Sequence, residues 1–163
     1  MPEKQSPFAF LKLHQINFKE YQVTHTVFPP PQSFWDELKI RRCKNLFFRD
    51  NHGKNHFLVI IDYYKNLDIK KLQEKVGRGS LTMASGWRLE KYLGLRPGFL
   101  SVFGILNDEE KHVKVFIDKE LDQEKLLSFL PNTEGGSFIA LEYSELFRFL
   151  KVSGHEWIEL ELR

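Results

Sequence analysis

Lys44-Asn45-Leu46-Phe47-Phe48-Arg49 decides the fold, because it begins the clearest hairpin of the chain. A second apolar run, Asn55 to Asp62, follows after the polar segment Asp50-Asn51-His52-Gly53-Lys54. Asparagine and glycine between two apolar runs are typical of a tight reversal between antiparallel strands. The pattern therefore predicts a strand pair, with Lys44 and Asn45 at the mouth of its first strand.

Helix and strand patterns alternate on both sides of this hairpin. Upstream, the predicted elements are a helix from Phe8 to Ile16, a strand from Phe18 to Val27 and, after Pro29-Pro30-Pro31, a helix from an N-cap at Ser33 to about Leu38. Downstream, they are helices that begin after Asp68 and Ser85 and end at Gly77 and Gly94, a helix from Ser144 to Val152, and strands at His112 to Ile117, Ser137 to Leu141 and His155 to Leu162. The three prolines predict a lid or a pocket wall.

Length and composition favour one domain. The chain has 163 residues, 42% of them hydrophobic and 15 of them phenylalanine, which is enough material for one core. No repeat or long linker divides the sequence. We therefore expect residues 1–163 to form a single α/β domain of α+β-like character, with helices packed on a mixed, mostly antiparallel sheet.

Several classes of protein are excluded by the residues. The longest apolar stretches, such as Phe57 to Ile61, are too short to cross a bilayer, and no apolar signal core follows the first residues. We therefore expect a soluble cytoplasmic protein that contacts no membrane. The single cysteine, Cys43, excludes an intramolecular disulfide and a cysteine-rich zinc site. Gly77-Arg78-Gly79 lacks the third glycine of a dinucleotide fingerprint, and we expect no cofactor and no metal.

Basic residues are clustered, although the formal net charge is only +2. The two clusters are Arg41, Arg42 and Lys44 and, around a predicted helix, Lys70, Lys71, Lys75 and Arg78. A solvated helix face explains the second cluster, but local clusters of this kind can also contact phosphate groups.

A glycine-punctuated loop, Arg96-Pro97-Gly98-Phe99-Leu100-Ser101-Val102-Phe103-Gly104, follows the helix that ends at Gly94. Because glycine has no Cβ, the backbone N–H groups of this loop can approach a ligand closely. A simple turn between a helix and the next strand is the alternative. Lys44 also has two interpretations: a cation that stabilises negative charge on a ligand, or a surface lysine at a strand end.

Lys44 to Asp50, Ser85 to Asp108 and the turn Asn107-Asp108 resemble, in order and spacing, the YbaK/ProX family of aminoacyl-tRNA deacylases, and most closely its ProXp-ala (PrdX) branch. The resemblance covers about residues 17 to 162. It implies a trans-acting editing hydrolase that deacylates mischarged tRNA, with alanyl-tRNA(Pro) as the first expected substrate. The implied partners are the acceptor end of the aminoacyl-tRNA and, as a candidate, prolyl-tRNA synthetase.

The resemblance also implies the site. Lys44 matches the characteristic functional lysine of the family and is the implied catalytic residue, which anchors the substrate and stabilises charge on the ester carbonyl. The implied substrate-binding residues are Asn45, Gly98, Phe99, Leu100, Ser101, Val102, Phe103 and Leu130. Because an aminoacyl ester is already activated, a positioned water with oxyanion stabilisation suffices and no nucleophilic triad is needed. The resemblance suggests that the terminal ribose hydroxyl assists this water.

Two positions depart from the family pattern. Val102 occupies the proline position of a Gly-x-x-x-Pro motif, which releases the φ constraint and restores an N–H group. Leu130, before Pro131-Asn132, stands where the family has a histidine, and leucine cannot exchange a proton. These changes leave open an enzyme with another amino-acid specificity, or a catalytically weak relative that binds the acceptor end or a synthetase. The tRNA identity elements, the oligomeric state and the need for a synthetase also stay open.

The remaining notable residues are expected to be structural. His52 and His56 are expected to be solvated turn histidines, and Cys43 a small packing residue. Asn107-Asp108-Glu109-Glu110 is expected to be a solvated turn in which Asn107 and Asp108 have a structural role. The aromatic residues Phe28, Phe34, Trp35 and Trp87 are expected to pack in a core or lid, with stacking on a terminal adenine as the alternative.

Overall fold

The computed structural model describes residues 6–22, 31–122, 126–130 and 137–162. Its helices are α1 Pro7–Leu13, α2 Gln32–Leu38, α3 Ile69–Val76, α4 Gly86–Leu93 and α5 Tyr143–Ser153. Its strands are β1 Lys19–Gln22, β2 Ile40–Asp50, β3 His56–Asp62, β4 Leu81–Met83, β5 Val113–Asp118, β6 Leu126–Phe129, β7 Ser137–Leu141 and β8 Trp157–Leu160. Two 3-10 helices are present at Val102–Asn107 and Lys119–Leu121. None of the described helices has the length and apolar character that crossing a bilayer requires.

All eight described strands belong to one mixed sheet. Seven of them follow the order β1-β7-β6-β2-β3-β5-β8, and β4 pairs with β2. The antiparallel pairs are β1/β7, β6/β7, β2/β3 and β2/β4. The parallel pairs are β2/β6, β3/β5 and β5/β8. The predicted α/β fold, a mixed and mostly antiparallel sheet with helices packed on it, is confirmed.

The predicted hairpin from Lys44 to Asp62 is formed by β2 and β3. Their register pairs Cys43 with Asp62 at one end and Arg49 with His56 at the other. β2 begins earlier than predicted, at Ile40, because its first residues also pair with β6. Alternation along β2 places Phe47 in the larger core, beneath α1, α4 and α5, and Phe48 in the smaller core, beneath α3.

The side chain of Asp50 closes the hairpin turn. Its carboxylate accepts hydrogen bonds from the backbone N–H of Lys54 at 2.9 Å, from that of Asn55 at 3.2 Å and from the Asn55 side-chain amide at 2.6 Å. Burial raises the pKa of Asp50, but these hydrogen bonds outweigh burial and lower the pKa to about 2.

Asp50 is expected to make the free energy of unfolding depend on pH in the acidic range. Because its folded-state pKa lies below the ordinary carboxyl value, its contribution is present above about pH 4 and is lost as pH falls toward the folded-state pKa. Wild type should therefore exceed Asp50→Asn in unfolding free energy at pH 6, and the difference should shrink at pH 3. Urea titrations at both pH values measure this, with Glu74→Gln, an exposed change on α3, as the control. A pH-independent difference would contradict the prediction.

Several predicted boundaries are confirmed and others are wrong. Gly77 and Gly94 end α3 and α4 with φ values of +70° and +64°. α2 begins after Pro31 rather than Ser33, and α5 after Glu142 rather than Ser144. Neither cap residue makes a side-chain hydrogen bond, so the backbone path sets these two helix starts.

The strand predictions were also incomplete. β8 begins at Trp157 rather than His155, because the backbone N–H of His155 still donates to Leu150 at the end of α5. β4 and β6 are three and four residues long, too short for an alternating pattern to identify them. The predicted strand from Phe18 is described only to Gln22, and Val27, Pro29 and Pro30 lie outside the described residues.

His56 is not a solvated turn histidine; that prediction was wrong. It is fully buried at the start of β3, with its Nδ1 at 2.9 Å from His112 Nε2 and its Nε2 at 2.9 Å from Arg88 Nη1. Because a guanidinium only donates, Nε2 accepts and Nδ1–H donates to His112. Burial, followed by electrostatic interaction with His112 and Arg88, lowers the pKa of His56 to about 4.

The turn that follows the glycine loop is not solvated at Asp108. Asp108 is only 5% exposed and accepts hydrogen bonds from the Val113 N–H at 2.8 Å and from His155 Nε2 at 3.0 Å. The Asn107 side-chain amide donates to the Leu93 carbonyl at 2.9 Å, which ties the turn to α4. These contacts agree with the expected structural role of both residues.

Candidate functional site

A split in the sheet defines the candidate site. One edge of β2 pairs with β3 from Cys43 to Arg49. The other edge pairs with β6 at residues 40–42 and with β4 at residues 48–50, and no described strand pairs with residues 43–47 on that side. β6 and β4 therefore diverge along β2, and a cavity of about 750 Å³ lies in the gap.

Backbone groups of β2 face this gap. The Arg42 carbonyl accepts from the Tyr63 N–H on the β3 side, whereas the Phe47 carbonyl accepts from the Ala84 N–H on the opposite side. Because peptide groups alternate along a strand, the N–H and carbonyl of Asn45 point the same way as those of Phe47. The main chain of Asn45 is thus directed to the gap between β6 and β4.

The cavity draws its walls from six parts of the chain. The lining residues are Trp35 of α2; Arg42, Cys43, Lys44 and Asn45 of β2; Tyr63; Met83, Ala84, Gly86 and Leu89 around α4; Pro97, Gly98 and Leu100 of the glycine loop; and Ser128, Phe129, Leu130 and Phe138. Five of the nine predicted site residues are therefore brought together, namely Lys44, Asn45, Gly98, Leu100 and Leu130. No Asp, Glu or His is among the described lining residues.

Lys44 and Asn45 reach the cavity from opposite faces of the sheet, because neighbouring side chains of a strand alternate. The Asn45 Oδ1 atom is buried and has no hydrogen-bond partner among the described residues. A buried acceptor without a partner costs about 1 to 3 kcal/mol, so a ligand that donates to Asn45 recovers this energy. Lys44 supplies the same end of the cavity with a positive charge.

The glycine loop contributes backbone donors. Gly98 has φ +89°, and a Cβ built on it meets nothing within 4 Å, so glycine is needed for its backbone conformation rather than for space. The Phe99 N–H donates to the Arg96 carbonyl at 3.1 Å and closes a tight turn. In the described part of the chain, the N–H groups of Gly98 and Leu100 have no partner. Two unpaired donors therefore stand on residues that line the cavity.

The other loop residues lie behind the cavity wall. Ser101, Val102 and Phe103 are completely buried, and Val102 begins a 3-10 helix. The Ser101 hydroxyl donates to the Leu130 carbonyl and accepts from the Phe103 N–H, so it ties the loop to the residue that follows β6. Phe99, Ser101, Val102 and Phe103 do not line the cavity, and direct substrate contact by these four residues stays a prediction.

The two potential side-chain nucleophiles of the cavity are inactive in this arrangement. Burial raises the pKa of the Cys43 thiol to about 12, so the thiol stays protonated near neutral pH. The Ser128 hydroxyl donates to the Arg41 carbonyl at 3.2 Å, and the cavity residues that the structure describes include no carboxylate or imidazole to act as its base. Among the described residues, no three His, Cys, Asp or Glu side chains converge as metal ligands. The arrangement therefore suits attack by water on a ligand held by cations and amides.

Aromatic side chains form part of the wall. Trp35 is 5% exposed and packs against Phe138, with ring centres 4.8 Å apart, and Phe34 packs on the same ring at 6.0 Å. Trp87 is 57% exposed, so it does not pack in a core, and the alternative that it packs in a lid stays a prediction. Phe28 lies outside the described residues. Sequence analysis missed Tyr63, whose only signal was its position directly after β3.

The chain is similar in sequence to known proteins. Residues 36–149 match the model of the aminoacyl-tRNA editing domain family. The prolyl-tRNA editing protein ProX of Acetoanaerobium sticklandii is 40% identical over 168 residues, which cover 99% of each chain. The family resemblance inferred from the sequence is confirmed.

Solved structures share the fold at low sequence identity. The crystal structure of the hypothetical protein APE2540 has a TM-score of 0.69 at 16% identity and covers 93% of this chain and 96% of its own. A candidate trans-editing enzyme for prolyl tRNA synthetase has a TM-score of 0.66 at 17% identity, with coverage of 93% and 92%. These structures share the fold, and the family match over residues 36–149 together with the 40% identity to ProX shows that the chain belongs to the aminoacyl-tRNA editing domain family.

Proposed function

We propose that this protein is a trans-acting hydrolase that deacylates mischarged tRNA in the cytoplasm, with alanyl-tRNA(Pro) as its first substrate. The observation that carries the proposal is the split-sheet cavity, which joins Lys44, an unpartnered Asn45 amide and two unpaired loop N–H groups. Family membership and 40% identity to a prolyl-tRNA editing protein support it.

The chemistry follows from the charge that forms on the ester. Water attacks the ester carbonyl carbon, and the carbonyl oxygen becomes an oxyanion. The Lys44 ammonium and the N–H groups of Gly98 and Leu100 stabilise that oxyanion, because they are fixed donors in a partly enclosed cavity. When the tetrahedral intermediate collapses, the bond to the ribose oxygen breaks, and the proton from water ends on that oxygen.

Asn45 orients the acyl group in this proposal. Its unpartnered Oδ1 accepts a hydrogen bond from the α-ammonium group of the aminoacyl moiety. None of the described lining side chains is a carboxylate or an imidazole, so the terminal ribose hydroxyl is the group that helps to remove the proton from water. Leu130 contributes an apolar wall and no proton transfer.

Selection among amino acids depends on the apolar wall. Met83, Leu89, Leu100 and Phe129 line the cavity together with Leu130. A pocket of this kind discriminates small side chains mainly by volume, and one methylene group changes kcat/KM by only about 10- to 200-fold. Alanine is expected to fit, and larger branched side chains are expected to be rejected by steric overlap.

The test is deacylation of a panel of aminoacyl-tRNAs by purified protein, headed by alanyl-tRNA(Pro) and containing alanyl-tRNA(Ala), seryl-tRNA and prolyl-tRNA(Pro). We expect fastest hydrolysis of alanyl-tRNA(Pro) and little of prolyl-tRNA(Pro). Fastest hydrolysis of another member would replace the proposed substrate. Binding of the acceptor end with no hydrolysis across the panel would replace the enzyme by a binding protein. Adding prolyl-tRNA synthetase to the deacylation assay tests it as a partner, because recruitment of the protein by the synthetase would lower the KM for alanyl-tRNA(Pro).

A further inference from the structure

Arg42 occupies an unusual position beside the cavity. Its guanidinium carbon lies 3.5 Å from the centre of the Tyr63 ring and 5.9 Å from that of Trp35. The Arg42 carbonyl also accepts the Tyr63 N–H at 2.9 Å, so backbone and side chain hold the two residues together. All three side chains line the cavity, and no carboxylate pairs with Arg42 among the described residues. A stacked guanidinium still has its in-plane N–H donors available for a ligand.

The surroundings of Arg42 favour an anionic, aromatic ligand. Arg42 and Lys44 are the only charged residues among the described lining residues, and both are positive. Tyr63 is 38% exposed and Tyr64 is 54% exposed, and their rings meet edge to face at 5.0 Å. The Trp35 Nε1–H is buried and has no partner among the residues that the structure describes. This wall of the cavity thus combines the guanidinium donors of Arg42, the Trp35 Nε1–H donor and the exposed rings of Tyr63 and Tyr64.

We propose that Arg42 and Tyr63 form a nucleotide subsite for the 3′ end of the tRNA acceptor strand, which rests on the proposed function. Arg42 donates to the phosphodiester that links the last two nucleotides, and the exposed aromatic face next to it stacks on a base. Lys44 and Asn45, two and three residues further along β2, then face the ester. The spacing of these residues along β2 thereby fixes the distance between the bound phosphate and the aminoacyl group.

The first test compares two substrates that differ in this phosphate. Alanyl-tRNA(Pro) contains the internucleotide phosphate, and 3′-O-alanyl-adenosine lacks it. Arg42→Ala is expected to lower kcat/KM for the tRNA roughly 10- to 100-fold, through KM, because hydrogen bonds to charged groups are worth about 1.5 to 3 kcal/mol. The same variant should hydrolyse alanyl-adenosine within about two-fold of wild type, because this substrate lacks the phosphate that Arg42 contacts and therefore loses no hydrogen bond to a charged group. Equal losses on both substrates would overturn the proposal.

The controls separate a local contact from charge and folding. Lys12→Ala removes one positive charge at an exposed position of α1, outside both basic clusters, and should leave both rates unchanged. Arg42→Lys keeps the charge but loses the planar fork, so it should recover only part of the tRNA rate. Unchanged activity on alanyl-adenosine shows that Arg42→Ala is folded. If Lys12→Ala weakens the tRNA reaction as much as Arg42→Ala does, the subsite is refuted.

A binding measurement makes the subsite testable without turnover. The probe is an uncharged RNA hairpin ending in CCA, titrated at several salt concentrations. Because Arg42→Ala loses one phosphate contact, it should bind the hairpin more weakly than wild type does. The slope of log Kd against log salt concentration should be smaller by about 0.7 for the variant. An unchanged slope would overturn the subsite. If wild type hydrolyses no substrate, the proposed function fails while this titration still decides the subsite.

Discussion

Replacing Lys44 by alanine is expected to lower kcat/KM for alanyl-tRNA(Pro) deacylation by roughly 100- to 1000-fold, the range seen when one fixed donor to an oxyanion is removed. Lys44 is a cation among the described cavity residues, and it neighbours the unpartnered Asn45 Oδ1. Since the charge on the ester oxygen forms only in the transition state, the loss should appear mainly in kcat. Single-turnover rates at saturating enzyme measure this directly.

The controls for Lys44 use the same side chain elsewhere. Lys54→Ala removes an exposed lysine from the turn of the same hairpin and should change neither kcat nor KM. Lys44→Arg keeps the charge but changes its shape, so partial activity is expected. Urea unfolding of Lys44→Ala should stay close to wild type because the side chain is half-exposed. A folded Lys44→Ala protein with the wild-type rate would remove Lys44 from the mechanism.

The amino-acid sequence predicts the parts of this fold that local patterns determine. The hairpin turn at Asn51 to Gly53 and the glycine ends of α3 and α4 are set by backbone preferences of single residues, and all are found where expected. The gap between β6 and β4 has no such local signal. It arises because two short strands, distant in sequence, pair with different parts of one edge of β2.

The candidate site shows the same limit. Lys44 and Asn45 stand out in sequence because a cation and an amide precede an apolar run. Arg42 was visible only as a member of the basic cluster with Arg41 and Lys44. Its stacking on Tyr63 has no sequence signal, since it depends on the antiparallel register that brings the end of β3 beside the start of β2. His56 was assigned to solvent because turn residues precede it, but partners distant in sequence, Arg88 and His112, bury it.

Asp108→Ala is expected to cost about 3 kcal/mol of unfolding free energy, because it leaves two buried donors without their acceptor and each such donor costs about 1 to 3 kcal/mol. The carboxylate joins the start of β5 to the residues after α5, since it accepts from the Val113 N–H and from His155 Nε2. His155 in turn contacts the Ser153 hydroxyl at 3.1 Å. Removal of Asp108 leaves buried donors on both sides without a partner, and each of them must then be desolvated without compensation.

The measurement is the unfolding free energy of Asp108→Ala from urea titration. The control is Glu109→Ala, an exposed neighbour in the same turn, whose unfolding free energy should differ from that of wild type by no more than about 0.5 kcal/mol. Burial raises the pKa of Asp108, but hydrogen bonds from His155 and from the backbone of Val113 and His112 outweigh it, so the pKa lies below its ordinary value. The stabilisation is therefore present above about pH 4 and is lost in more acidic solution. The gap between wild type and Asp108→Ala should narrow as pH falls, and equal midpoints at pH 7 would show that this buried contact does not hold the β5 end of the fold.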